Sequence, residues 1–146
     1  MIRLAFSLGL MLAPSAWAGE WLWQHPVPQG NTLRAAAVGE NLLIAAGDYG
    51  TIVRLDRKAR EWQHVPSGTQ EHLRAIAHAG ASTWVAAGVH GATLRSTDAG
   101  LRWTPQPSGA KEDLHGLAFA AGLGVAVGSS GTVLVTQDGG DRKSVV

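Results

Sequence analysis

Three side chains with ionic or hydrogen-bonding chemistry recur at one point of a repeated phrase. Arg34, Arg74 and His115 each follow a leucine, in the phrases LRAAAV, LRAIAH and LHGLAF. A guanidinium group binds carboxylates through paired hydrogen bonds, so arginines that converge favour an acidic ligand or a chain terminus. The alternative is that they only solvate strand ends or pair with Asp and Glu of the next repeat, as surface arginines commonly do.

A second arginine series lies four residues after a glycine of each repeat. Arg54 follows Gly50 in this way and Arg95 follows Gly91, whereas Val135 takes the position in the third repeat. Isolated exposed arginines seldom indicate binding. We therefore predict that this series decorates a strand edge.

Residues suited to catalysis or metal binding lack the spacing that such sites require. The six histidines form no H-x-H or H-E-x-x-H pattern, and the absence of cysteine excludes thiolate sites and disulfides. The serines of the turns have no nucleophile-elbow pattern, and no helix pattern follows the glycine-rich residues 122–124. The single tyrosine, Tyr49, is expected to pack within a hairpin. The sequence predicts no enzyme activity, no cofactor and no metal site.

A repeat of about forty residues must position these side chains. Leu33, Leu73 and Leu114 are 40 and 41 residues apart, and the phrase G-x-x-G recurs with the same period. Short apolar runs separated by Gly, Asp, Pro and Ser indicate four strands in each period. Since about 40 to 50 residues with four strands is typical of a propeller blade, we predict an all-β chain of about three four-stranded blades. A tandem β-meander or β-solenoid is the alternative. The paired glycines of each G-x-x-G fit a hairpin between the second and third strands, where we expect positive φ and a clash with any Cβ.

Composition and the chain ends suggest a division into three parts. Residues 1–18 read as a secretory signal, with Arg3, an apolar run and an A-x-A site, so we expect an exported chain in the periplasm or another extracytoplasmic compartment, with no membrane span after cleavage. Residues 19–141 are the predicted partial propeller, with repeats at about 29–66, 67–107 and 108–141. Residues 142–146 are an off-pattern tail. A net charge of +1 gives no field to attract nucleic acid.

The second repeat contains a motif with a known structural role. Ser96 to Trp103, STDAGLRW, resembles the Asp-box, S/T-x-D-x-G-x-x-W, of bacterial sialidase-type repeats. The resemblance implies that the aspartate bonds to turn amides, the glycine takes a left-handed conformation, and the tryptophan packs between blades. The residues to which it assigns these structural roles are Ser96, Asp98, Gly100 and Trp103 in the second repeat, and Asp138 and Gly140 in the third. The third repeat has Lys143 at the tryptophan position, and the first keeps only Trp62.

The chain from about residue 21 to residue 141 resembles the Ycf48/Hcf136-like family of photosystem II assembly and stability factors. The family signature, Leu-Arg, then A-A-G-x-x-G, then the Asp-box, is complete only in the second repeat. The resemblance implies a ring of seven blades, of which this chain is an N-terminal fragment. The segment from Trp23 to Pro26 echoes Trp62-Gln63-His64, which predicts an outer strand at the mature N-terminus. The resemblance also implies an arginine-rich patch on one face, which assigns partner binding to Arg34, Arg74 and His115.

These observations favour a non-catalytic, exported scaffold or assembly factor that binds another protein, with a membrane-protein subunit or its terminus as the partner that the resemblance suggests. One alternative is an Asp-box glycoside hydrolase or carbohydrate-binding propeller whose active site lies on blades beyond this sequence. A sialidase-like hydrolase needs a catalytic tyrosine with a glutamate partner, which we do not find here. The other alternative is a fragment without function, motivated by the pattern loss after Asp141.

Overall fold

The computed structural model describes residues 21–23, residues 29–141 and the backbone of Ser144–Val145. Within this part, three antiparallel four-stranded sheets follow one another in chain order. Blade 1 contains β1 (Leu33–Val38), β2 (Leu42–Gly47), β3 (Ile52–Asp56) and β4 (Glu61–Val65). Blade 2 contains β5 (Leu73–Gly80), β6 (Thr83–Gly88), β7 (Thr93–Ser96) and β8 (Thr104–Pro105). Blade 3 contains β9 (Leu114–Ala120), β10 (Leu123–Gly128), β11 (Val133–Thr136) and β12 (Ser144–Val145). The prediction of three four-stranded blades is confirmed.

The hydrophobic core lies between the blades. Strand β1 packs against β5, and β5 packs against β9, so the first strands of the blades are neighbours. Alternating side chains of each blade pack on the adjacent blade, which is how a β-sheet buries an apolar face. The core between blades 1 and 2 includes Ile44, Ile52, Trp84, Leu94 and Trp103. The core between blades 2 and 3 consists of Ala75, Ala87, Leu114, Ala126 and Leu134.

The two glycines of each G-x-x-G turn serve different purposes. The closing glycines, Gly50, Gly91 and Gly131, have φ of 68°, 69° and 73°, as predicted. The opening glycine of the first turn, Gly47, is extended, with φ of −165°. A Cβ on Gly47 would lie 2.0 Å from the carbonyl oxygen of Thr32, and Gly88 and Gly128 meet the same obstruction. The expectation of positive φ is wrong for the opening glycine. The expected clash of a Cβ is confirmed there, because the two backbone segments approach closely.

The turn between β7 and β8 has the contacts that the Asp-box resemblance implies. Ser96 donates to Asp98 (2.9 Å) and accepts from the Gly100 amide (3.0 Å), while Asp98 accepts from the Arg102 amide (2.9 Å). Gly100 has φ of 78°. The indole nitrogen of Trp103 donates to the Gly100 carbonyl (3.1 Å), and its ring is part of the core between blades 1 and 2. The motif therefore joins a tight turn to the neighbouring blade.

The third blade repeats this turn without the tryptophan. Thr136 donates to Asp138 (2.7 Å) and accepts from the amide of Gly140 (3.1 Å). Strand β12 pairs with β11, with Ser144 opposite Val135. Part of the off-pattern tail thus supplies the fourth strand of blade 3, where the sequence suggests a segment outside the repeat.

Several sequence predictions fall outside the described residues. The signal segment, residues 1–18, belongs to the part that is not described, as do residues 24–26 of the predicted outer strand. Residues 21–23 form no strand. The outer strand and the export signal therefore stay predictions. The described residues contain no helix with the length and apolar character that a membrane crossing needs.

Candidate functional site

A β-bulge in the first strand of each blade positions the three predicted binding residues. In blade 1 the register changes between Leu33 and Ala35, which leaves Arg34 as the extra residue of the bulge. Corresponding register changes place Arg74 in a bulge of β5 and His115 in a bulge of β9. A bulge turns a side chain away from the regular alternation of the strand. We call Arg34, Arg74 and His115 the bulge row, and it runs beside the G-x-x-G turns.

Arg34 is paired within its own blade. Its Nε and Nη2 atoms donate to the two carboxylate oxygens of Asp48, in the G-x-x-G turn, with an Nη2–Oδ2 distance of 2.9 Å. The Asp48 carboxylate also lies 3.0 Å from Nδ1 of His72, in the segment that enters blade 2. The hydrogen bond from Arg34 lowers the pKa of the Asp48 carboxyl below its ordinary value. The Asp48 carboxylate therefore links Arg34 to His72, which lies in the segment that enters blade 2.

Arg74 joins blades 2 and 3. Its Nη1 atom lies 3.2 Å from the carboxylate of Asp113, which precedes β9, and 3.1 Å from Nδ1 of His115. The backbone amide of His90 donates to the other oxygen of Asp113 (3.0 Å), and this bond, followed by the charge of Arg74, lowers the pKa of the Asp113 carboxyl. The structure therefore brings Arg74 and His115 together.

These pairings change the electrostatic character of the predicted arginine patch. Arg34 and Arg74 are each matched by a carboxylate, Asp48 or Asp113, whose pKa is lowered and which stays anionic at neutral pH. The sequence left open whether these arginines only pair with an acidic residue of the next blade. Arg74 does so, because its partner Asp113 belongs to the segment that enters blade 3. In the bulge row the positive charges are balanced by carboxylates, and the arginine side chains are partly exposed, at 46% for Arg34 and 34% for Arg74.

A second row of exposed residues stands at the tips of the G-x-x-G turns. Tyr49, His90 and Ser130 have φ of 53°, 53° and 55°, in the left-handed region. A residue with a Cβ pays about 1 to 3 kcal/mol for such a conformation. The Tyr49 side chain is 59% exposed and its ring lies 4.8 Å from that of His72. The expectation that Tyr49 is a packing residue is wrong. We call these three residues the tip row, and both rows together the turn face.

The tip row also touches the next blade through its backbone. The Tyr49 amide lies 3.3 Å from Nδ1 of His72, and the His90 amide donates to Asp113 at 3.0 Å. Sequence reasoning missed the tip row, although its signal was present. A residue other than glycine stands directly before the closing glycine of all three turns.

The second arginine series connects blades instead of decorating an edge. The Arg54 Nε atom donates to the carbonyl oxygen of Ala99 (2.8 Å), and Arg95 Nε donates to that of Gly139 (3.2 Å). Both acceptors directly precede the glycine of an Asp-box turn in the following blade. Strands β3 and β7 are internal to their sheets, so the strand-edge prediction is wrong. We call each pair an arginine clamp.

Comparison with solved structures identifies the architecture. No family model matches the sequence, and no curated protein matches it. A structure described as YCF48 bound to D1 peptide superposes with a TM-score of 0.69 at 16% identity, over 83% of this chain and 41% of that chain. YCF48 from Cyanidioschyzon merolae superposes with a TM-score of 0.65 at 17% identity, over 82% and 41% of the two chains. The chain has the fold of part of a YCF48-like β-propeller.

The crystal structure of the RRP9 WD40 repeats shares the same architecture. It superposes with a TM-score of 0.63 at 14% identity, over 76% of this chain and 35% of that chain. The present chain spans 41% of the length of each YCF48 chain. Identities this low establish the fold alone. The predicted partial β-propeller is confirmed by these neighbours.

One contact on the turn face of this chain has the composition of a catalytic dyad. His115 Nε2 lies 2.8 Å from the hydroxyl oxygen of Ser129. Because Arg74 can only donate, a hydrogen bond between Arg74 and His115 has Nδ1 of the imidazole as its acceptor. In that tautomer Nε2 donates to the Ser129 hydroxyl, which is the opposite of the direction that a serine nucleophile needs. Within the described part of the chain, no group of three or more His, Cys, Asp or Glu could hold a metal ion.

Proposed function

We propose that this chain is a non-catalytic, exported scaffold or assembly factor, and that its turn face contacts a partner protein. The observation that carries this proposal is the tip row. Three exposed side chains hold an unfavourable backbone conformation at the same step of three blades, beside the bulge row. Backbone strain that recurs at exposed positions is typical of functional surfaces. The similar YCF48 structure bound to a D1 peptide supports a peptide as the kind of partner.

The chemistry of the turn face fits a polar peptide segment that carries a carboxylate. Arg34 uses Nε and Nη2 for Asp48, so Nη1 remains for a further acceptor. The exposed rings of Tyr49 and His90 offer flat surfaces that lose little conformational entropy when a peptide covers them. Because the carboxylates of Asp48 and Asp113 balance the arginines, recognition depends on directed hydrogen bonds more than on net charge.

Export of the chain is part of the same proposal. It rests on the secretory pattern of residues 1–18 and places the partner in the periplasm or another extracytoplasmic compartment. A terminus or loop of a membrane-protein subunit that reaches this compartment is the partner that we propose. The turn face would then hold that segment while its protein is assembled.

A peptide-binding measurement tests the function. The probe is a fluorescein-labelled D1 peptide with a free α-carboxylate, compared with the same peptide ending in an amide. Fluorescence anisotropy gives the dissociation constant for the full chain and for the double variant Arg34→Gln, Arg74→Gln. The control variant is Arg57→Gln, Arg102→Gln, which changes two exposed arginines on the β3–β4 and β7–β8 turns.

We expect the double variant in the bulge row to bind the peptide at least tenfold more weakly than the parent does. The amidated peptide should bind less tightly, and the control variant should bind as the parent does. Circular dichroism must show that all three proteins are folded. The proposal fails if the folded parent does not bind the peptide. It also fails if the control variant loses as much affinity as the double variant in the bulge row.

A further inference from the structure

The segments that enter blades 2 and 3 offer different acceptors to the same kind of backbone donor. The residue directly before β5 is His72, and the residue directly before β9 is Asp113. The Tyr49 amide, at the tip of the turn in blade 1, lies 3.3 Å from Nδ1 of His72. The His90 amide, at the same place in blade 2, donates to Asp113 at 3.0 Å. One of two equivalent contacts between blades therefore ends on an imidazole and the other on a carboxylate.

The Nδ1 atom of His72 has two neighbours that make opposite demands on it. The Tyr49 amide can only donate, so it needs a lone pair on Nδ1. The Asp48 carboxylate lies 3.0 Å from the same nitrogen and can only accept, so it needs a proton there. One nitrogen cannot serve both neighbours at once. Its partner therefore depends on whether Nδ1 carries a proton.

The charged groups around His72 leave it one carboxylate to pair with. The titratable and charged side chains that surround it come from blade 1 and from the first part of blade 2, and they are Arg34, Asp48, Tyr49, Glu71, Arg74 and His90. Glu71 lies 2.9 Å from Nδ1 of His90. Arg74 is paired with the carboxylate that precedes β9. In the described part of the chain, Asp48 is thus the carboxylate that contacts His72.

We propose that protonation of His72 is a pH-sensitive switch that transfers its Nδ1 atom from the Tyr49 amide to the Asp48 carboxylate. Imidazole is the side chain that ordinarily gains its charge between about pH 8 and about pH 5. The hydrogen bond from Arg34 lowers the pKa of the Asp48 carboxyl, so Asp48 is anionic throughout that range. The proton comes from solvent, to which the His72 side chain is 39% exposed.

The switch acts on the tip of the turn in blade 1. Tyr49 has φ of 53°, an unfavourable conformation that persists only where its surroundings hold it. When His72 is protonated, the Tyr49 amide loses its acceptor, and a positive charge appears beside Arg34. The tip of blade 1 then becomes mobile and its surroundings more cationic. The tip of blade 2 keeps its acceptor, because the pKa of the Asp113 carboxyl is lowered and the group stays ionised.

Nuclear magnetic resonance of the ¹⁵N-labelled full chain tests the switch. No peptide is present, so the result does not depend on the proposed peptide binding. Long-range spectra of the imidazole report which nitrogen of His72 carries the proton. Backbone spectra and hydrogen exchange follow the Tyr49 amide from about pH 8 to about pH 5.5. The His90 amide is the internal reference, because its acceptor is a carboxylate.

Two variants separate the role of His72 from a general effect of acid. His72→Asn can satisfy both neighbours together, since an amide side chain accepts through its oxygen and donates through its nitrogen, and it has no charge to gain. His64→Gln is the matched control, because His64 is an exposed histidine on β4. Circular dichroism confirms that both variants are folded, and the titration of the parent chain needs neither of them.

At the upper end of the pH range we expect the proton of His72 on Nε2. As the ring is protonated, the Tyr49 amide resonance should shift with the same midpoint. Its exchange, corrected for the intrinsic pH dependence, should become about fivefold faster, the factor that corresponds to a hydrogen bond of about 1 kcal/mol. The corrected exchange of the His90 amide should stay constant. His72→Asn should abolish the change at Tyr49, and His64→Gln should retain it.

Four results overturn the proposal. The first is a Tyr49 amide that stays constant while His72 titrates. The second is a proton on Nδ1 of the neutral ring, because this nitrogen would then face Asp48 at every pH. The third is an equal change at the His90 amide, and the fourth is a change at Tyr49 that survives in His72→Asn. Either of the last two would show that the tips respond to acid without the imidazole.

Discussion

The two interfaces between blades differ in what fills them. Between blades 1 and 2, the large side chains of Trp84 and Trp103 are 1% and 8% exposed. Between blades 2 and 3, alanines supply most of the buried cluster, and an apolar gap lined by Val85 and Phe119 remains. Both interfaces join sheets with the same strand order. Backbone hydrogen bonds and turns therefore determine the strand order within a blade. The volume of the buried side chains determines how much the contact with the neighbouring blade stabilises it.

The largest expected effect is at the tryptophan that distinguishes the first interface. Trp103→Ala removes a buried ring and its hydrogen bond to the Gly100 carbonyl. We expect a loss of about 3 to 5 kcal/mol in the free energy of unfolding, measured by urea denaturation. Trp21→Ala is the control, since Trp21 is fully exposed and its loss should change stability by less than about 0.5 kcal/mol. If both variants lost the same free energy of unfolding, the conclusion that Trp103 stabilises the interface between blades 1 and 2 would be wrong.

A matched pair of leucines compares the interfaces directly. Leu94 and Leu134 occupy the same position in blades 2 and 3 and are 1% and 2% exposed. Leucine to alanine costs about 2 to 5 kcal/mol, depending on how far the surroundings collapse. Because Leu134 borders the gap, we expect Leu134→Ala to fall near the lower end of that range and Leu94→Ala near the upper end. Urea unfolding of both variants provides the measurement, and the reverse order would refute the comparison.

The arginine clamps should contribute less than the cores. Arg54→Met and Arg95→Met keep much of the aliphatic packing and remove the hydrogen bond to the following blade, which is worth about 1 kcal/mol. The effect should be larger for Arg54, whose bond is 2.8 Å long, than for Arg95, whose bond is 3.2 Å long. Hydrogen exchange of the amides in β9 to β11 reports the second clamp. Unchanged exchange in Arg95→Met would show that this clamp does not hold blade 3.

The smallest expected effect is the pH dependence of the ion pairs on the turn face. The carboxyl pKa values of Asp48 and Asp113 are lowered in the folded chain, so the unfolded chain binds protons more readily. Their stabilising contribution is present above about pH 4, the ordinary carboxyl range, and is lost as the pH falls through the lower folded-state values. Acid titration followed by circular dichroism should show a weaker dependence for Asp48→Asn and Asp113→Asn.

The two asparagine variants also separate the interfaces. Asp113 connects blade 3 to Arg74 of blade 2, whereas Asp48 binds Arg34 within blade 1. Only Asp113→Asn should therefore speed hydrogen exchange in blade 3 at neutral pH. Equal acceleration by both substitutions would show that the network acts as one unit.

The repeat period made the fold predictable, because the strands and turns of one blade are formed by residues that lie close together in the sequence. The closing glycines and the turn from Ser96 to Trp103 depend on residues close together in the chain. The arginine clamp was missed because Arg54 finds its acceptor 45 residues later, which no single-strand pattern contains. The recurrence of arginine at Arg95 was the available signal.

The candidate site was predicted in position but not in electrostatic character. Arg34 and Arg74 lie at equivalent bulges on one face, as their shared repeat position suggests. Their partners, Asp48 and Asp113, come from a turn and from an entering loop, at positions that the repeat does not keep constant. Whether an arginine is paired depends on such loop residues, and the strand pattern carries no information about them.

The bulges give the molecule a freedom that its packed strands do not have. Each bulge residue lies outside the regular ladder, so its identity places little demand on the core. Histidine already replaces arginine at this position in the third blade, and the strand order is the same. A substitution at a bulge position can therefore change the chemistry of the turn face at one blade while the paired strands stay as they are.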